Sequence, residues 1–310
     1  MESRLRDTAA CDAKKAAARE QGFVLLVVLW VLTSAVLLVA SYNAAVRSGA
    51  ASTVSEIGQS KSDALVDAGL EIAAAHLLDK NEKRRWLGDG SQHRMMFDGA
   101  ELTISVRDAS GLIDLNKSNG KLLRAFFLKF TKSMAKSALY ADIILKAREA
   151  VEKEKNPDAG KPESNDTDYR RTSAAAAFID VWQFGRTPGI PRDLFDEVAP
   201  YLTVYSGDGT IYSATAPIKV LEAIPDLNQA DIEKIRYVNK AALVDLMAKA
   251  PDYLTFENGP ARLVTVRVRL PEASESIVKT FVIAIGIDSA APYRLLAKQP
   301  ATYIAEDGQN

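Results

Sequence analysis

The stretch QGFVLLVVLWVLTSAVLLVASYNAAV, residues 21–46, carries no charged side chain and is the longest apolar run in the chain. As a helix rising about 1.5 Å per residue, its apolar heart from Phe23 to Ala40 is just long enough to cross a hydrocarbon layer of about 30 Å. Lys14, Lys15 and Arg19 precede the run, whereas only Arg47 follows it before Lys61. By the positive-inside rule the first twenty residues are then cytoplasmic, and everything after Val46 is exported. A secretory signal peptide has a shorter apolar region, about 7 to 15 residues, closed by a small-x-small cleavage site. Ala40-Ser41-Tyr42 is a poor version of that site.

The front edge of the run carries a second signal. Gln21-Gly22-Phe23, a glycine then a phenylalanine behind a basic leader, resembles the prepilin leader. That resemblance implies cutting by prepilin peptidase between Gly22 and Phe23, with Phe23 becoming the methylated N-terminus of a helix that stays in the membrane. An uncleaved anchor is the alternative.

At 310 residues and 47% hydrophobic, the chain can bury a sizeable core, with room for one large or two modest domains outside the membrane. The formal net charge is −1, and loss of residues 1–22, with five basic and four acidic side chains, moves it to −2. This balance supplies no electrostatic case for nucleic acid as a partner. The single cysteine, Cys11, lies in the leader, so the exported part has no disulfide and relies on packing, an ion or partners.

Residues 44–80 hold no proline, and apolar residues recur at helical spacing through Val54, Ile57, Leu65, Ala68, Ile72 and Leu77, which predicts one helix continuing outward over 47–80. Leu102, Ile104 and Val106 alternate with Glu101, Thr103, Ser105 and Arg107, the period of a half-buried strand. A turn at Asp108–Gly111 predicts that 112–116 returns beside it as a hairpin. From Lys121 to about Ala250 the chain reads as helices and polar loops: 122–130, 138–151, 174–184, 192–198, 216–224 and 230–238, with a charged loop from Glu152 to Asp168. Val264, Val266, Val268 and Leu270, then Phe281, Ile283, Ile285 and Ile287, alternate again as a second hairpin. A lone two-stranded hairpin is marginal. The economical α+β solution joins both hairpins (88–116 and 261–290) into one antiparallel sheet on the long helix, with 117–260 inserted as an all-α domain and 291–310 left as a tail.

Several segments in this order resemble the type II secretion minor pseudopilin K family: the prepilin-like start, Gly111-Leu-Ile-Asp-Leu-Asn116, Pro188-Gly-Ile-Pro-Arg-Asp-Leu-Phe195, Ala199-Pro-Tyr-Leu-Thr-Val-Tyr205, and Ala214-Thr-Ala-Pro217 followed by Val220-Leu-Glu-Ala-Ile-Pro-Asp226. The resemblance spans most of residues 20–290. It implies a pilin-like fold, an inserted helical domain similar to SAM or helix-hairpin-helix domains with Gly185, Pro188, Gly189, Pro217 and Pro225 at its turns, and a place at the tip of the pseudopilus in the bacterial inner membrane. Implied partners are the I-type and J-type minor pseudopilins, the major subunit and prepilin peptidase. Pilin-like chains usually carry a glutamate at the fifth residue after the cut, and here Val27 stands there, as in the K type. A buried glutamate is costly unless paired with the amine of a neighbouring subunit, and a tip subunit has no neighbour above it. Some relatives bind calcium, which needs six to eight oxygens. Asp166 and Asp168 are weak candidates for such a site, without a defensible ligand spacing.

Two other functions compete. The turns at Gly185–Gly189 and Pro225–Asn228 resemble helix-hairpin-helix turns, which points to a membrane-anchored DNA-binding or uptake protein. Yet residues 174–240 hold six basic against nine acidic side chains, the wrong sign for phosphate. Catalysis is disfavoured because His76 and His93 lie apart in the chain, with no cysteine after the leader and no accompanying nucleophile or metal motif. Trp30, Trp86 and Trp182 read as interface or core anchors.

Overall fold

A single helix, α1 (Glu2–Leu77, 76 residues), contains the apolar run in the computed structural model. The structure describes residues 2–155, 176–237, 248–271, 275–287 and 291–305. The chain divides into two units, 1–63 and 64–310. In the first, every side chain from Leu26 to Asn43 is exposed, and this 18-residue segment is long and apolar enough to cross a membrane.

In the second unit, the last turns of α1 lie on a six-stranded antiparallel sheet. Its strands are β1 (Asp89–Phe97), β2 (Ala100–Asp108), β7 (Ala261–Arg269), β8 (Glu275–Ile285), β9 (Tyr293–Lys298) and β10 (Thr302–Ala305). The order is β1-β2-β7-β8, and β8 pairs with β9 along Phe281–Ile285 and with β10 along Glu275–Val278. Leu65, Val66, Leu70, Ala73 and Leu77 of α1 pack on Leu102, Ile104, Val106, Val264, Val266, Val268, Phe281 and Ile283. This is the inward half of the alternating pattern in β2 and β7, as the period-2 reading expected; in β8 Phe281 to Ala284 are all buried and the strand ends at Ile285, short of the expected Ile287. The approach is close: a Cβ on Gly69 would stand 2.5 Å from Val266 Cγ1.

The two hairpins do share one sheet, through β2 and β7, but the first hairpin is not the expected one. β2 turns back through Asp98-Gly99, both with positive φ (46° and 74°), onto β1 before it. Such two-residue turns match the natural twist of a hairpin. Residues 112–116 leave the sheet instead. The tail after residue 290 also departs from expectation, since β9 and β10 extend the sheet.

Between β2 and β7, the described residues of 109–260 gather around a second core that includes Leu122, Phe126, Phe127, Phe184, Phe195, Val220 and Ile232. Its described helices are α2 (Gly120–Thr131), α3 (Met134–Lys155), α4 (Val181–Arg186), α5 (Arg192–Val198), α6 (Ile218–Leu221) and α7 (Gln229–Tyr237). The segment is not all-α. β3 (Ile113–Asp114) pairs in parallel with β4 (Leu202–Thr203), and β5 (Ile211–Tyr212) with β6 (Leu254–Thr255). The helix expected over 174–184 begins only at Val181, because Asp180 caps it: its carboxylate accepts from the Trp182 amide.

Candidate functional site

The residues marked by the sequence fall in both units. Gly22 and Phe23 lie on the backbone of α1, and their side chains fall outside the described set. Val27 is 42% exposed, in the first turn of the apolar segment. Four polar side chains within that segment bond back to the helix. Thr33 Oγ1 donates to the Leu29 carbonyl at 2.8 Å, Ser34 Oγ to Trp30 at 2.8 Å, Ser41 Oγ to Leu38 at 2.9 Å and Asn43 Nδ2 to Val39 at 3.0 Å. Polar groups without water need such internal partners, so the segment fits hydrocarbon despite four of them.

The motif segments that carried the resemblance meet in the second unit. Gly111–Asn116 and Ala199–Tyr205 supply β3 and β4. A Cβ on Gly111 would stand 2.9 Å from Thr215 Oγ1 and 3.0 Å from the Ala216 amide, so the Ala214–Pro217 segment lies directly against it. Asp114 binds these pieces together. Its Oδ1 accepts from the Asn116 amide at 2.7 Å and the Lys117 amide at 3.1 Å, and its Oδ2 from the Ser206 hydroxyl at 2.7 Å and amide at 3.1 Å. Arg148 of α3 donates to the carbonyls of Leu115 (2.7 Å), Ser118 (2.6 Å) and Asp114 (3.2 Å). Burial pushes the Asp114 carboxyl up, and the Ser206 hydroxyl is the largest opposing influence. Asn116 adds a reciprocal pair of bonds to the backbone of Phe178, at 2.8 and 2.9 Å. Sequence reasoning did not single out Asp114, Arg148 or Ser206. The available signal was a carboxylate inside the apolar Leu112–Leu115 run.

A second buried carboxylate stands where the chain leaves the sheet. Asp108 and Arg262 are cross-strand partners, 3.2 Å apart between Oδ1 and Nη1, with both side chains buried. Arg262 also donates to the Gly259 carbonyl at 2.6 Å, and the Gly259 amide donates to Ser110 Oγ at 2.7 Å. The exit from β2 and the return into β7 are thereby clasped. Burial raises the Asp108 carboxyl, with Arg262 opposing it.

The turn residues are structural in two separate helix pairs. Gly185 ends α4 against α5: a Cβ there would stand 2.7 Å from the Phe195 ring. Gly189, after Pro188, has φ +94°, a conformation that favours glycine. Pro217 caps α6, and Pro225 leads into Asp226, with φ +69°, and then α7. At the start of α7 the Asp231 amide donates to Asn228 Oδ1 at 3.0 Å and the Asn228 amide to Asp231 Oδ2 at 3.1 Å. Lys249 Nζ donates to Asp231 at 2.6 Å and holds its carboxyl below the usual range. The two amides and the cation that a DNA phosphate would need at this turn are answered within the chain, the Asn228 amide and Lys249 by the Asp231 carboxylate and the Asp231 amide by Asn228 Oδ1.

His76 and His93, distant in sequence, stack on opposite faces of Trp86, with ring centroids 4.4 and 3.9 Å from it. Burial lowers the His93 imidazole, with Asp89 opposing. The stack holds the end of α1 against β1 and gathers no nucleophile. Among the described residues no group of three His, Cys, Asp or Glu side chains could hold a metal ion, and Asp166 and Asp168 lie outside them.

No protein-family profile matches the chain, and no curated protein matches it. Among solved structures, it is similar to a chain of the GspK-GspI-GspJ complex from the enterotoxigenic Escherichia coli type 2 secretion system, with 14% identity and a TM-score of 0.52. The likeness covers 80% of this chain and 98% of that one. At this identity what the two share is the fold.

Proposed function

We propose that this chain is a K-type minor pseudopilin of type II secretion. It is held in the inner membrane by α1, with its N-terminus cytoplasmic and residues after 46 periplasmic, and it caps the pseudopilus tip. The observation that carries this reading is the sheet interrupted between Asp108 and Arg262 by a segment with its own core, in a fold similar to a chain of the GspK-GspI-GspJ complex. The apolar run from Leu26 to Asn43 supports the anchor. Gly22-Phe23 supports cutting by prepilin peptidase and methylation of Phe23, and Val27 suits a subunit with none above it. I-type and J-type pseudopilins are the proposed partners, with the major subunit following below. The role is assembly, and no catalysis is assigned.

The decisive experiment replaces residues 110–260 with a two-residue Asn-Gly turn. Asp108 and Arg262 are cross-strand neighbours, so a hairpin can close there. The shortened chain is expected to reach the membrane while secretion of folded proteins through the outer membrane stops and pseudopilus length changes. Unchanged secretion and unchanged length would refute the tip role.

A further inference from the structure

The face of the sheet turned away from α1 has its own chemistry. Since Leu102, Ile104, Val106, Val264, Val266 and Val268 point at α1, the alternate residues of β1, β2 and β7 form the opposite face. Cross-strand register sets Arg94, Thr103 and Arg267 in one row and Met96, Glu101 and Arg269 in the next. Arg107 lies four residues beyond Thr103 along β2, beside Asp89. The basic side chains on this face are all arginine, and β1, β2 and β7 contain no lysine, although the chain as a whole has 20 Lys and 19 Arg. Four arginines face two carboxylates. Arg94, Arg267 and Arg269 are exposed, and Met96, 71% exposed, stands two residues from Arg94 on the outer strand β1.

Strand spacing puts the backbones of Arg94 and Arg267 about 10 Å apart, and those of Arg267 and Arg269 about 7 Å apart. Both separations are within or near a Debye length of about 8–10 Å. Clustered like charge at this range costs stability, and a partner that brings carboxylates offsets the cost. Arginine is suited to that partner, because its planar fork binds a carboxylate with two parallel bonds. Arginine and methionine are enriched in protein interfaces and lysine is depleted, whereas patches for anionic lipid draw on lysine and arginine alike. The two rows carry no aromatic ring on which a nucleobase could stack.

We infer that this face docks a protein whose surface presents carboxylates around an apolar recess, with Met96 seated in the recess and Arg94 and Arg267 paired at its rim. The site is distinct from the tip-capping segment.

The test uses the full chain in its own membranes, with a photo-crosslinking amino acid replacing Met96 and mass spectrometry of the adduct. The expected result is a discrete protein adduct whose linked peptide is rich in Asp and Glu. Its yield should fall at least about tenfold in R94E/R267E, since apposed like charges cost several kcal/mol at an interface. R94K/R267K, which keeps the charge but loses the two-bond fork, should lose yield too, yet clearly less than the Glu pair. Thermal melting of both variants confirms that these exposed substitutions leave the fold intact. Adducts with lipid or nucleic acid alone, no adduct, an Asp/Glu-poor linked peptide, or equal loss in the Lys and Glu variants would overturn the assignment.

Discussion

Arg148 shows how one side chain far away in sequence holds a motif in shape. Its guanidinium is the partner of three carbonyls in and after the Gly111–Asn116 segment. Arg148→Met would strand those acceptors and remove the nearest cation from Asp114. The side chain is part-buried and its bonds go to carbonyls, so the expected cost is about 1.5–3 kcal/mol, the range for hydrogen bonds made by a charged group. Urea unfolding of the second unit measures it, and a loss under about 1 kcal/mol would contradict the network. His93 gives a pH dependence of known sign. Its imidazole resists protonation in the fold, while in the unfolded chain it protonates at its ordinary value of 6.5. The unfolded state therefore binds more protons below that value, and stability is lost as pH falls from 6.5 through the lowered folded value. Denaturant midpoints at about pH 7.5 and pH 5.5 should drop more in the native chain than in His93→Gln. Equal slopes would remove His93 as the cause. Neither Arg148 nor the Trp86 stack was legible beforehand, because each depends on residues brought together only by the fold.

At the scale of elements, what could be read was what is buried on one side. β2 and β7 alternate because one face meets α1, and β8, buried on both faces from Phe281 to Ala284, still shows its apolar run, so those strands were found. β1 and β9 are less buried along their length, so no alternation was imposed on DGSQHRMMF or YRLLAK and both were missed. The two-residue strands β3 to β6 are too short to show any period. The Asp98-Gly99 pair was the readable hairpin signal, and it was passed over for the turn at Asp108–Gly111. The contact of α1 with β7 offers an element-level prediction. Gly69→Ala should gain up to about 1 kcal/mol of helix propensity but lose about 1–3 kcal/mol to overpacking on Val266, for a net destabilisation. Adding Val266→Ala should recover part of the loss, a coupling that a double-mutant cycle measures. Additive effects would mean that the helix and strand do not meet there.

For the molecule as a whole, the plan of an apolar run long enough to span a membrane, a helix on a sheet and a large insertion was legible, and the make-up of the insertion was only partly so. Short apolar stretches there serve helices and parallel strand pairs equally well, and buried carboxylates such as Asp108 and Asp114 look like loop residues until their partners are known. The anchor carries the prediction at this scale. In cells with active prepilin peptidase, the intact mass of the chain should correspond to residues 23–310 with one added methyl group, and a bulky residue at Gly22 should leave the leader attached. A native chain of unprocessed mass would remove the cleavage reading. The pairing of β2 with β7 has a further consequence, in the order of events during synthesis. Asp108 must wait for Arg262, 154 positions later in the numbering. At about 5–20 residues per second, that delay is on the order of ten seconds or more. Through that interval the apolar face of β2 can already lie on α1, but its hydrogen-bonding edge stays open until β7 arrives, an unpaired strand edge on which another chain could add.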